Sequence, residues 1–141
     1  MKFMKAFILV IFCMITIGFQ TDAHSETIKW YSFQEGVAIG EAQGKQLYIH
    51  FMADWCGYCK KMDKDTFSKP EIIAYLNKNF ISIKVDTVRE RKIAAMFKVK
   101  PIPDNRFYSG TGKFIGKKTG YLNPELFMKI LTAVMEAGQA E

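Results

Sequence analysis

Apolar positions recur along the chain in two rhythms. Gln46-Leu47-Tyr48-Ile49-His50-Phe51-Met52 is an almost continuous apolar and aromatic run, the pattern of a strand buried on both faces. Phe80-Ile81-Ser82-Ile83-Lys84-Val85-Asp86 is a second strand of the same kind. Arg106 to Tyr108 and Lys113 to Lys117 predict two shorter strands, joined by the hairpin turn Gly110-Thr111-Gly112. Ile28-Lys29-Trp30-Tyr31 reads as a short strand or an extended lead-in. Helical stretches separate these runs. Ser32 is a candidate N-cap for a helix to about Gln43, with Gly44 to stop it and Gly36 and Gly40 weakening it. A second helix starts near Cys56 and runs to about Phe67. Ser68-Lys69-Pro70-Glu71 reads as a capping box with an early proline, followed by helix from Glu71 to Asn77. Val88 to Phe97 follows, with Ile93, Met96 and Phe97 on one face. The last helix is capped at Asn123 and presents Leu126, Ile130, Leu131 and Val134 to the core. The order βαβαβαββα, with a parallel crossover first and an antiparallel hairpin last, predicts an α/β fold with a central mixed sheet flanked by helices.

The first residues stand apart from this pattern. Lys2 and Lys5 precede an almost wholly apolar stretch from Ala6 to Phe19, and Thr21-Asp22-Ala23 offers the small residues a signal peptidase reads. Residues 1–23 are expected to be a secretory signal peptide cleaved near Ala23, leaving 24–141 as one domain. The rival is a retained membrane anchor, for which the run is short against the roughly 20 residues a span needs. A lipoprotein signal at Cys13 is disfavoured by the bulk of Phe12 before it. The charge is basic, +6 for the whole chain, but the cations are scattered and form no Arg-rich stripe, so no nucleic-acid partner is expected.

Cleavage would leave two cysteines, Cys56 and Cys59. One close C-x-x-C pair in an exported domain is not a disulfide framework, which points to working chemistry. Cys56 falls where a strand turns into a helix. Free backbone N–H groups and the positive end of the helix dipole stabilise a thiolate there. Cys59 lies one turn on, on the same face, close enough to close a small disulfide. A zinc site would need four ligands, and only His24 and His50 accompany the pair. Haem attachment would need His where Lys60 stands.

Trp55-Cys56-Gly57-Tyr58-Cys59-Lys60 resembles the active site of the thioredoxin superfamily. From Lys45 to Leu131 the chain is similar to periplasmic thioredoxin-like reductases, including the C-terminal domain of DsbD. The shared features are Ala53-Asp54-Trp55-Cys56, the Lys-rich helix, Thr66-Phe67-Ser68, Val85-Asp86, a proline near 103, Gly112-Lys113 and Gly120-Tyr121. The resemblance implies a thioredoxin-like fold and a thiol–disulfide oxidoreductase, with Cys56 as nucleophile and Cys59 as resolving thiol. Trp55, Gly57, Tyr58, Ile102 and Pro103 are implied to meet the substrate, Pro103 as the family's cis-proline, with Pro101 its competitor. No cofactor beyond the Cys56/Cys59 couple and no metal is called for. Implied partners are disulfide-bearing protein substrates and a membrane electron donor of the DsbD type, in the periplasm. The absence of His between the thiols favours a reductase; the alternatives are an oxidase or isomerase, or a redox-assisted assembly factor.

Two departures stand out. His50 occupies the strand position where the family carries a buried carboxylate, and Lys84 falls where that carboxylate has its lysine partner. His50 can therefore be an acid/base or a packed histidine. After Pro103 the family continues with Thr and apolar residues, whereas this chain has Asp104-Asn105-Arg106. Three polar residues there predict either a late strand start or a polar, specialised substrate edge, since burying them unpaired is costly.

Overall fold

The computed structural model describes residues 26–139, so the expected signal peptide lies outside the described residues. In chain order the elements are β1 (Trp30–Tyr31), α1 (Phe33–Gln43), β2 (Gln46–Met52), α2 (Gly57–Asp65), α3 (Pro70–Asn79), β3 (Phe80–Asp86), α4 (Arg91–Met96), β4 (Asp104–Tyr108), β5 (Phe114–Thr119) and α5 (Pro124–Gln139). The strands form one sheet in the order β1-β3-β2-β4-β5. β3 runs parallel to β1 and β2, and β4 is antiparallel to β2 and β5. The predicted mixed sheet and its crossover are therefore present. Among the described residues no helix is long and apolar enough to cross a membrane.

Strand alternation divides the core into two layers. Tyr48, Phe80 and Phe107 face one way and pack with Met62 of α2, Ile72 and Leu76 of α3, and Phe127 and Leu131 of α5. Leu47, Ile49, Phe51, Ile81, Ile83 and Val85 face the other way, under Phe33 and Val37 of α1, Ile93 of α4 and Phe97 at the C-cap of α4. α1 is held at its start by a reciprocal capping box between Ser32 and Glu35, and stopped by Gly44 in the left-handed region at φ 61°. Its two weakening glycines have a packing reason. A Cβ at Gly36 would run into the Ile83 side chain, and one at Gly40 into Leu47.

Several local expectations are corrected. Ser68 does not cap α3: the cap position is Lys69, with no side-chain hydrogen bond, and the Ser68 hydroxyl donates back to the Lys64 carbonyl instead. Pro70 at the first helical position needs no donor, which lets the helix start there without a cap. α4 begins at Arg91, and Met96 points outward, 63% exposed, while Ile93 and Phe97 pack on the sheet. On α5 the buried face carries Phe127, Leu131 and Val134, and Leu126 lies outside it. Most consequentially, β4 starts at Asp104 rather than Arg106, and all three polar residues are buried in the sheet.

Candidate active site at the junction of β2 and α2

β2 ends at Met52; buried Ala53 and exposed Asp54 and Trp55 then lead to Cys56, the N-cap of α2. Cys56 has extended backbone angles, φ −79° and ψ 106°, and its Sγ accepts the Cys59 backbone N–H at 3.1 Å. This satisfies one of the donors a helix start leaves open. Cys56 and Cys59 are joined as a disulfide with Cα atoms 5.3 Å apart. Both are buried, packed with Ala53, Met52 and Ile102. Around this covered pair the surface is aromatic: Trp55 is 71% exposed and Tyr58 65%. Core packing of Trp55 is thereby excluded. Gly57 is exposed with open space where a Cβ would stand.

The loop after α4 closes the site from the other side. The Ile102–Pro103 peptide bond is cis. Pro103 is buried, and its carbonyl accepts the Gly120 N–H at 2.8 Å. Trp55, Cys56 and the first turn of α2 (Gly57, Tyr58, Cys59) thus meet the loop of Ile102 and Pro103, with Ile102 against the cysteines.

His50 and Lys84 form a separate layer on the sheet. They are register partners on β2 and β3. His50 is fully buried among Trp30, Tyr48 and Phe67, the Phe67 ring standing edge-on at 5.0 Å. Its Nδ1 lies 2.9 Å from Asn105 Oδ1, which also accepts the Tyr48 hydroxyl at 2.7 Å. The Asn105 amide nitrogen donates to the Lys118 carbonyl at 3.1 Å, so Oδ1 is the atom that faces His50. An amide oxygen only accepts, so Nδ1 must carry the ring proton. Nε2 is then a bare lone pair, buried and without a hydrogen-bond partner among the described residues. Burial is the main force that pushes the imidazole down to about 4; the Asn105 hydrogen bond opposes it and the Lys84 cation adds to it. At neutral pH the ring is uncharged. The Lys84 ammonium is held by Asp63 of α2 at 2.8 Å and lies 4.8 Å from the centre of the Trp30 ring.

Asp63 and Arg89 carry parts of this site that the sequence reading did not single out, and Asn105, noted there as one of three polar residues after Pro103, is the hydrogen-bond partner of His50. Asn105 is two residues from Phe107, so strand alternation alone places it on the layer of Tyr48 and His50 once β4 is known to lie beside β2. Asp63 is four residues beyond Cys59, on the same side of α2. Arg89 pairs with Asp54 at 3.0 Å and so ties the β3–α4 loop to the residue before Trp55. No signal in one sequence marks that contact. Among the described residues no group of three or more His, Cys, Asp or Glu is placed to hold a metal ion.

Comparison with known proteins agrees with this geometry. The thioredoxin-like domain family matches residues 33–135. An uncharacterized protein of Archaeoglobus fulgidus is 29% identical over 85 residues, 60% of this chain and 67% of that one. The thiol:disulfide interchange protein DsbD of Escherichia coli K12 is 30% identical over 95 residues, 64% of this chain but only 17% of DsbD. The structure of a thioredoxin from Thermus thermophilus superposes with a TM-score of 0.73 at 24% identity, covering 81% of this chain and 92% of that one. The chain belongs to the thioredoxin-like domain family and, with the Cys56–Cys59 disulfide at its helix start, is a thiol–disulfide oxidoreductase of that family.

Proposed function

We propose that the protein is an exported reductase of protein disulfides, working in the periplasm after removal of residues 1–23. The observation that carries the reading is Cys56 as the N-cap of α2, its sulfur already accepting a helix N–H that would equally stabilise a thiolate. In the reduced protein the Cys56 thiolate attacks one sulfur of a substrate disulfide, forming a mixed disulfide and releasing one substrate thiolate. Cys59 then gives up its proton and attacks Cys56 Sγ. The Cys56–Cys59 disulfide forms and the second substrate thiol leaves, so two electrons pass to the substrate. His50, neutral and with a bare Nε2, is the group proposed to take the Cys59 proton, directly or through water. Lys84, anchored by Asp63, is proposed to add to the burial that keeps that histidine uncharged. Trp55, Gly57, Tyr58, Ile102 and Pro103 are the proposed substrate contacts, an extended chain lying along the loop at Pro103. Re-reduction calls for a dithiol donor. A DsbD-type membrane protein is the proposed source, supported by the likeness to DsbD over a small part of its length.

A Cys59→Ser variant tests the order of events, because it halts at the mixed disulfide. Clients are expected to accumulate covalently on Cys56 and to be released by dithiothreitol. Brief alkylation of the reduced protein should label Cys56 first; labelling that falls mainly on Cys59 would reverse the assignment. Equilibration with glutathione should give a potential of roughly −200 to −270 mV, whereas a value near −120 mV would make the protein an oxidant.

A further inference from the structure

The loops around the disulfide carry an imbalance of charge that the reductase reading does not use. Their carboxylates each accept a hydrogen bond, and one cation, Arg89, serves both Asp54 and Asp86. Asp54 accepts from Arg89 at 3.0 Å. Asp86 accepts the backbone N–H groups of Val88 and Arg89 at 2.8 and 3.1 Å. Glu90 accepts the N–H of Asp86. On α2, Asp63 is taken by Lys84 and Asp65 by Lys61. The cations are not all answered. Lys60, Lys98 and Lys100 are exposed and have no carboxylate partner among the described residues.

Lys78, Lys117 and Lys118 are likewise exposed and without a carboxylate partner among the described residues, but Lys60, Lys98 and Lys100 are the ones next to the site in sequence. Lys60 is four residues beyond Cys56 and so lies on the same side of α2. Lys98 and Lys100 belong to the loop that runs into Ile102 and the cis bond at Pro103, with Ile102 against the cysteines. Lys98 sits at φ 51°, a left-handed conformation that glycine or asparagine fills more easily. Its N–H donates to the Ala95 carbonyl at the end of α4. Lys98 thus stands where the backbone alone would favour glycine or asparagine. Trp55 and Tyr58, both exposed, flank Cys56 in the segment that ends at Lys60.

We propose that Lys60, Lys98 and Lys100 form a basic rim around Trp55 and Tyr58 that selects acidic segments flanking the disulfide of a client protein. The aromatic pair offers sequence-tolerant apolar contact, and the cations supply the discrimination, because unpaired surface charge steers encounter with the opposite sign. The inference rests on the reductase reading for its client but concerns only which disulfides are chosen. A nucleic acid would match the charge but carries no disulfide to present to Cys56.

The test uses the full mature chain and two disulfide-linked peptides of equal length, one with glutamates and one with lysines beside the cysteine. The reduced protein is expected to reduce the acidic peptide at least about tenfold faster at low ionic strength. The preference should collapse between about 0.01 M and about 1 M salt, as the screening length falls from about 30 Å to about 3 Å. Replacing Lys60, Lys98 and Lys100 together by Glu should invert the ratio of the two rates, and using the ratio cancels any change in thiol reactivity. A control triple change of Lys78, Lys117 and Lys118 to Glu alters net charge equally, away from the rim, and should leave the ratio in place. Fluorescence anisotropy with serine versions of both peptides reads docking without redox chemistry, so a failure of reduction and a failure of selection are separately visible. Equal rates and equal affinities for the two peptides, a ratio that follows net charge in the control, or an oligonucleotide that displaces the acidic serine peptide at equal concentration would each overturn the proposal.

Discussion

β4 carries polar side chains into both layers of the core, and the two layers treat them differently. On the side of α1 and α4, Asp104 and Arg106 pair with each other at 2.8 Å, and the guanidinium lies 5.4 and 5.7 Å from the ring centres of Phe51 and Phe97. Their side chains are 3% and 9% exposed. On the side of α2, Asn105 joins His50, Tyr48 and the Lys118 carbonyl. The first cluster is charged and closed: the carboxylate is answered by the guanidinium beside it, two residues along the same strand. The second is neutral and leaves one nitrogen open, His50 Nε2. A closed buried pair satisfies its own charges, whereas an open buried lone pair is tolerated where chemistry uses it. The same three-residue stretch therefore supplies a self-balanced pair on one face and an acceptor on the other.

The comparison can be broken most forcefully from the closed side. Arg106→Ala strands the Asp104 carboxylate in the core, and chemical denaturation should show a loss of about 3–5 kcal/mol. A joint replacement, Asp104→Leu with Arg106→Met, should recover most of it, since the cost lies in the uncompensated charge. Failure of the joint variant to recover would mean that the pair does more than balance itself.

The open side responds to pH. His50 titrates near 4 in the folded protein against 6.5 when unperturbed. The unfolded chain therefore binds the proton first as pH falls. Stability from this group is present above about 6.5 and is lost progressively as pH drops towards 4, by up to about 3 kcal/mol. Thermal unfolding of wild type and His50→Leu from neutral pH to about 4 should show a slope in the first that is missing from the second. Parallel curves would place His50 outside the acid response.

The kinetic difference is smaller in free energy but the most specific. With Cys59 needing a proton acceptor, His50→Leu should slow resolution of the mixed disulfide by about 100-fold, with the first attack by Cys56 little changed. Stopped-flow measurements separate the steps. An unchanged resolution rate would reduce the open nitrogen to a packing accident.

Much of this was legible in the sequence because local rules were sufficient. The run Gln46–Met52, the caps at Ser32 and Asn123 and the stop at Gly44 all depend on neighbours within a few residues. The position of Cys56 at a helix start followed from the strand before it. Part of what failed depended on strand pairing and on partners distant in sequence. Asp104-Asn105-Arg106 looked wrong for a buried strand because the Asp104–Arg106 pair closes only when alternate residues of a strand share a face, and because Asn105 needs His50, 55 residues away. The inward turn of Phe127 instead of Leu126 was a one-residue error of helix phase, settled by the packing of α5 against α3.

The glycines of α1 bear on how this protein could be re-engineered. A designer seeking a sturdier molecule would turn first to Gly36 and Gly40, since an interior helical glycine commonly gives up about 1 kcal/mol to alanine. Here that reflex would backfire. The missing methyl groups are the clearance that lets α1 rest on Ile83 and Leu47. Ile83 is the register partner of Ile49, and Leu47 lies on the same strand, the one that delivers the chain to Cys56. Lifting the helix would unsettle the platform from which the thiols are launched. The chain has traded helical propensity for proximity, and the freedom to improve it lies elsewhere on its surface.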